Sequence, residues 1–457
     1  MIEIVNLTQN PNHPRLYKIL NRGLALDAEL LSKVANVIEQ VRINSDQALC
    51  DFTQSFDGIA ISPANLRVDP DLIKTLASQV SSQLISFIQR AIENVQIFHQ
   101  HQIEKSWEFT DEDGVTLGQR LTPLDSVGLY VPGGKAAYPT TLIMNAVPAI
   151  TAGVKRIVVV TPPTTFMSNP VIAATLNELK LTEVYSIGGA QAIAALAFGT
   201  DVVPRVDKIV GPGNIYVTAA KKLLYGTVDI DSIAGPSEIA VIANPETPAR
   251  FVAADLLSQA EHDADASAVL ITTNALYARE VQMEVQTRLL ALPRREIAEK
   301  SIDNYGAIFV VSSLEQACHL VNRLAPEHVE VMVNEEEKVA EAITHAGAIF
   351  LGSYSCEAVG DYIAGPNHVL PTGGTARFFS PLGVYDFLKR TNIIKYNKAK
   401  LEKNIAAIVG LAESEGLVGH ARAALARFEM EQDQSRTTRP LAALTPGIKL
   451  PLIDEPN

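Results

Sequence analysis

The chain has 457 residues, a net charge of −13, 47% hydrophobic and 19% charged side chains. That length suggests two to four structural units at ~100–200 residues each, with the composition of a compact globular protein. The acidic balance argues against nucleic acid as a partner, because phosphate binding needs clustered Lys and Arg, and no apolar run approaches the ~18 residues of a membrane span.

The first seven residues lack the basic and apolar regions of a secretory signal. Cys50, Cys318 and Cys356 are odd in number, far apart and without a CxxC pair, so a reducing, cytoplasmic compartment is expected. Leu30, Val34, Val37, Ile38 and Val41 recur at the period of an α-helix, and residues 81–107 read as a second long helix that ends near Trp107, a packing anchor. From 126 the texture changes. Apolar runs at 127–131, 157–160, 184–187 and 209–210 each stop at Gly or Pro and give way to a helical pattern. A second series follows at 239–243, 268–272, 307–311, 329–333 and 348–351. This alternation predicts βαβ units, mostly parallel sheets and two α/β units. Residues 399–431 read as helical, and the Pro- and Thr-rich chain after about 431 as a loosely attached tail.

Five stretches carry chemistry. Three glycine turns, Val131-Pro132-Gly133-Gly134, Ile187-Gly188-Gly189-Ala190-Gln191 and Val210-Gly211-Pro212-Gly213-Asn214, end predicted strands, where parallel sheets bind ligands and backbone N–H groups can approach a phosphate. None is GxGxxG, and ordinary βα turns have the same composition. The segment Ala234-Gly235-Pro236-Ser237-Glu238 precedes a predicted helix over 250–262 carrying Gln259 and His262 three residues apart, a spacing that suits a metal or a solvated face equally. Glu327-His328 stands before a predicted strand, where a carboxylate and an imidazole suit proton transfer. Residues 360–378, with Asp361 and His368, form a Gly- and Pro-rich loop of the ordered, functional kind. Glu415 and His420 lie in the C-terminal helical segment. These residues allow a metal-assisted enzyme with a nucleotide domain near 126–237, and name no reaction. The absence of HExxH disfavours a zinc hydrolase.

Together these segments resemble the histidinol dehydrogenase family. The likeness runs from about residue 30 to 430 and is carried by Ile230-Asp231-Ser232-Ile233-Ala234-Gly235-Pro236-Ser237-Glu238, Leu256-Leu257-Ser258-Gln259-Ala260-Glu261-His262-Asp263, Leu324-Ala325-Pro326-Glu327-His328, the 361–378 loop and Glu415-Gly416-Leu417-Val418-Gly419-His420. The resemblance implies four-electron oxidation of L-histidinol to L-histidine through the aldehyde, with two NAD and one zinc per site. It implies Gln259, His262, Asp361 and His420 as zinc ligands, and His328 and Glu327 as proton-transfer groups. Ser237, His368 and Glu415 would hold substrate together with those ligands and that pair, and Tyr130, Gln191 and Asn214 would contact NAD. It further implies a homodimer with shared sites, His420 and Glu415 acting in trans.

The expected architecture is two incomplete Rossmann-like α/β domains. Residues 26–125 with 238–380 would carry zinc and the catalytic pair, and 126–237 would bind NAD. Residues 1–25 would form an N-terminal segment, 381–431 a helical dimer-exchange segment and 432–457 a flexible tail. The chain departs from the family at Asn44-Ser45-Asp46, where Gly-Asp is usual, and in its longer tail.

Overall fold

The computed structural model describes residues 1–23, 26–133 and 139–429. Gly134 of the first glycine turn and the 432–457 tail lie outside them. The chain forms two units, one of Met1–Lys105 with Leu121–Arg390, the other of Ser106–Arg120 with the chain from Thr391 onward.

The strands in chain order are β1 (Glu3–Asn6), β2 (Trp107–Thr110), β3 (Thr116–Pro123), β4 (Ser126–Tyr130), β5 (Arg156–Thr161), β6 (Val184–Ser186), β7 (Lys208–Val210), β8 (Asp229–Ile230), β9 (Glu238–Ala243), β10 (Ser267–Thr272), β11 (Ala307–Val310), β12 (His328–Met332), β13 (Ala348–Leu351) and β14 (Leu388–Lys395). Two parallel sheets dominate the first unit, ordered β6-β5-β4-β7-β8 and β1-β11-β10-β9-β12-β13. Numbered from their own first strands, both follow the order 3-2-1-4-5 of a doubly wound nucleotide-binding sheet, without its sixth strand. β1 is an addition to the second sheet, pairing with β11 in parallel; the N-terminal segment, expected to be small and helical, thus supplies an edge strand before its helix Pro14–Leu20. Its sequence Glu3-Ile4-Val5-Asn6 is too short to show a period.

Both faces of each sheet are covered, which is why the strands read as continuous apolar runs. On the five-stranded sheet, Val127, Leu129 and Val159 face one core with Ile88, Ala91 and Val95, while Val158, Val160 and Ile209 face the other with Val34, Ile38 and Val41. The helices Ala28–Asp57 and Ser82–Gln100 therefore clothe opposite faces of the 126–230 sheet. An amphipathic period announces a buried face without naming its cover. On the six-stranded sheet, Val241, Leu270 and Ile308 face the helix Ala249–Ala260, and Val269, Phe309 and Val331 face the opposite core.

The carboxyl edge of the six-stranded sheet is tied off by side chains. Asn244 Oδ1 accepts from Thr272 Oγ1, Thr273 N and Thr273 Oγ1 at 2.9–3.0 Å, and Thr247 Oγ1 donates to Met332 O at 2.9 Å.

The second unit holds β2 and the first part of β3, paired antiparallel, and the helices Lys398–Ser414 and Val418–Leu425. The helical pattern over 399–431 breaks at Gly416, whose φ of +71° suits glycine. Trp107 is exposed, stacked on Phe109 at 6.5 Å, so it anchors no core among the described residues.

Candidate functional site

Glu327 and His328 stand at the amino end of β12, next to the amino end of β9. The backbone of Glu238 holds both. Its N–H donates to Glu327 Oε2 at 3.1 Å, and its carbonyl oxygen lies 3.1 Å from His328 Nδ1. A carbonyl only accepts, so Nδ1 carries the hydrogen and Nε2 is the basic nitrogen. Gln259 Oε1, 3.2 Å from Nδ1, shares that hydrogen. Both side chains are buried. Burial pushes the His328 imidazole down to about 3, so it is neutral at working pH. Burial, with the charges of Glu238 and Asp361 added, pushes Glu327 up to about 8, against the hydrogen bonds from Glu238 and Ser237.

Gln259 lies in the last turn of Ala249–Ala260, and Glu261 caps that helix. His262 thus follows the helix in the turn that its N–H closes on Gln259 O at 3.2 Å, where the expected helix ran to 262. Asp361 lies one residue from the end of the helix Glu357–Tyr362. The ligand atoms of His262, Glu357 and Asp361 all fall within 4.8 Å of one another. His368 Nδ1 is 3.1 Å from the carbonyl oxygen of Asp361 and 3.7 Å from its carboxylate, which again leaves Nε2 basic; burial holds this imidazole down to about 4.

The cluster fits a divalent cation. Gln259 Nε2 and both Glu357 carboxyl oxygens are buried without a hydrogen-bond partner, a costly state. Burial raises Asp361 to about 6. Burial, then the neighbouring Asp361, Glu327, Glu330 and Asp255, raises Glu357 well above the ordinary carboxylate range. A cation would relieve that crowding, and a mixed N/O set without thiolate suits zinc. The carbonyl end of the 249–260 helix, negative by its dipole, favours the same sign of ligand.

Glu357 was not among the expected site residues. Its signal was a carboxylate four residues before Asp361, one helical turn away. Glu238 carries no side-chain signature of its part, because that part is played by backbone atoms.

Tyr130, Gln191 and Asn214 lie at the carboxyl edge of the five-stranded sheet, around the switch between β4 and β7 where such sheets bind ligands. The Gly189 N–H donates to the Tyr130 hydroxyl at 3.0 Å, and Gln191 is buried with Oε1 unpartnered. Asn214 caps the helix Ile215–Leu224, accepting from Tyr216 N at 3.0 Å and Val217 N at 3.2 Å. A Cβ at Gly211 would lie 2.3 Å from the Tyr130 carbonyl oxygen, and its φ is +114°, so this turn requires glycine. Asp231 Oδ2 accepts from the Gly211 N–H at 2.7 Å and its carboxylate pairs with buried Lys221. Residues 231–237 run from the carboxyl end of β8 to the amino end of β9. Fully extended, those seven residues reach at most roughly 25 Å, which limits how far apart the ends they join can stand. Ser237, half-buried on that link, accepts from Ser267 N with its carbonyl at 3.0 Å.

Glu415 and His420 belong to the second unit, Glu415 capping Lys398–Ser414 and His420 within Val418–Leu425. Both are exposed.

The family model for histidinol dehydrogenase matches residues 20–428. The chain is 54% identical over 400 residues to the histidinol dehydrogenase of Halalkalibacterium halodurans, covering 87% of this chain and 94% of that one. It is 47% identical over 429 residues to that of Syntrophotalea carbinolica, covering 94% and 100%. The crystal structure of histidinol dehydrogenase from Elizabethkingia anophelis superposes with a TM-score of 0.87 at 36% identity, covering 93% of this chain and 98% of that one.

Proposed function

The chain belongs to the histidinol dehydrogenase family, and from that premise we propose that it oxidises L-histidinol to L-histidine through L-histidinaldehyde, the last step of histidine biosynthesis. The observation that carries this reading is the pairing of a neutral, buried imidazole with a proton-retaining carboxyl on one strand end, beside a cluster fit for a cation. Alcohol to carboxylate is a four-electron change, so two hydrides must leave. Bound NAD supplies the acceptor, and bound zinc supplies a template for the substrate's amine and imidazole nitrogens.

His328 takes the alcohol proton at Nε2, the nitrogen left free by the hydrogen bond at Nδ1. The aldehyde then needs water. Glu327, once its proton has left to solvent, draws the proton from a water directed at the carbonyl carbon while the protonated His328 returns its proton to the carbonyl oxygen; the imidazole, neutral again, then accepts a proton from the hydrate as the second hydride leaves to NAD. Gln259, His262 and Asp361 would hold the metal with His420 of the partner subunit, with Glu357 close enough to join them. Ser237, His368 and Glu415 of the partner subunit would seat the substrate beside the same ligands and the Glu327–His328 pair. Tyr130, Gln191 and Asn214 would hold NAD at the β4/β7 switch. Burial of the site keeps the reactive aldehyde from water it does not need.

The reading places a homodimer with shared sites in the cytoplasm. No described helix is long and apolar enough to cross a membrane.

The test follows NADH formation from L-histidinol with zinc-loaded protein. Two NADH per histidinol consumed, abolished by a chelator and restored by zinc, is expected. No NADH from folded, zinc-loaded protein would overturn the substrate assignment.

A further inference from the structure

We propose that Glu330 is a positioning residue for the metal-binding end of the site, fastening the two helices that carry the candidate ligands. This rests on the metal reading above.

Glu330 is the third residue of β12, wholly buried, in the run His328-Val329-Glu330-Val331-Met332. Alternation along a strand puts it on the same face as His328, toward the Ala249–Ala260 helix, and its strand neighbour there is Val241. An apolar residue would fill that place at no electrostatic cost; a buried carboxyl there costs several kcal/mol unless partners compensate. Its partners are specific. Oε1 accepts from the backbone N–H of Glu357 at 2.8 Å, at the first turn of the Glu357–Tyr362 helix. Its other oxygen, Oε2, is buried without a hydrogen-bond partner, and the Asp255 carboxyl stands near enough for the two acids to act on each other.

Each partner stands one helical turn before a candidate ligand. Asp255 precedes Gln259 by four residues, with His262 three further on, and Glu357 precedes Asp361 by four. Helical side chains four apart lie one above the other. A single carboxyl on a rigid central strand thereby sets the approach of both helices, and with it the convergence of His262, Glu357 and Asp361 within 4.8 Å. Groups that hold ligands in place without touching the metal act in this way, and their loss typically weakens metal binding roughly 10–100-fold.

The test compares wild type, Glu330→Gln and Glu330→Leu as full-length proteins stripped of metal. Zinc affinity is read by competition with a chromophoric chelator, and geometry by the visible spectrum of the cobalt-substituted protein. Glutamine keeps an acceptor for the Glu357 N–H and offers a donor to Asp255; leucine keeps only the volume. Glu330→Leu is expected to bind zinc at least tenfold more weakly, with an altered cobalt spectrum. Glu330→Gln should return to within about threefold of wild type. Asp255→Ala, which frees one helix only, gives the same comparison if the leucine variant does not fold, and an intermediate weakening is expected. Wild-type affinity in Glu330→Leu or Asp255→Ala, or a glutamine variant as weak as leucine, would overturn the proposal. Failure of wild type itself to take up zinc or cobalt would instead remove the metal reading, and this one with it.

Discussion

One residue of β9 grips both members of the Glu327–His328 pair through its backbone: the Glu238 carbonyl oxygen stands 3.1 Å from His328 Nδ1, and the Glu238 N–H donates to Glu327 Oε2, also at 3.1 Å. The imidazole's tautomer and the carboxyl's orientation are thus set by backbone that cannot rotate away. Replacing His328 by Ala is expected to lower kcat by ~10²–10⁴, the range for a lost general base, while zinc content stays at the wild-type level. NADH formation from histidinol measures the first and metal analysis the second. Unchanged kcat would remove His328 from the role.

The zinc-free protein should lose stability as pH rises from ~6.5, the ordinary histidine value, to 8. Glu327, held up at about 8, keeps a proton in the folded state that the unfolded chain has already released; Glu357 acts in the same direction. The unfolded state binds fewer protons there, so stability falls with rising pH. His328 and His368, held down to about 3 and about 4, act oppositely, adding stability as pH rises. Their contribution tails off as the unfolded chain's histidines lose their last protons, about one unit above 6.5, and the acids dominate from there to 8. Zinc favours the ionised carboxylates and should raise the melting temperature more at pH 8 than at pH 6.5. Melting curves at the two pH values, with and without zinc, decide it; a zinc-free melting temperature flat across this window would contradict the buried-acid account.

Mixed dimers test the shared site. His420→Ala and His262→Ala are each expected to be inactive and poor in zinc. Exchanging subunits between them should restore up to about a quarter of wild-type activity per total site, because one hybrid site in a mixed dimer regains both histidines. Activity assayed after subunit exchange, with mixed dimers verified by differential tags, gives the answer. Mixed dimers without activity would place His420 outside its partner's site.

Ser45 occupies φ +50°, ψ −133° inside the helix Ala28–Asp57, a conformation that suits glycine. The serine holds this kink with one hydrogen bond, from Asp201 N to Oγ at 3.3 Å. Relief of strain of this kind amounts to ~1–3 kcal/mol. Ser45→Gly should therefore raise the melting temperature by a few degrees and leave kcat unaltered. A lower melting temperature would show that the Asp201 contact outweighs the strain.

The strand–helix alternation, the glycine turns and the Glu327-His328 pair were legible in the sequence, because each is a local pattern. Parallel strands covered on both faces read as apolar runs, Gly and Pro end them, and adjacent residues stay adjacent. The motifs carrying Gln259 with His262 and Asp361 before His368 were visible in the sequence, though not that His262 and Asp361 converge with Glu357. Tertiary structure alone decided the rest. Glu238 meets Glu327 across 89 residues of chain, and Gln259 meets His328 across 69. β1 pairs with β11, and the helices Ala28–Asp57 and Ser82–Gln100 cover the first sheet. Glu330 and Glu357 join the site through a backbone contact 27 residues apart. Periodicity states that an element has a face to bury, and only the packed chain determines which element it is buried against, because that choice depends on the summed burial and hydrogen bonding of segments far apart in sequence.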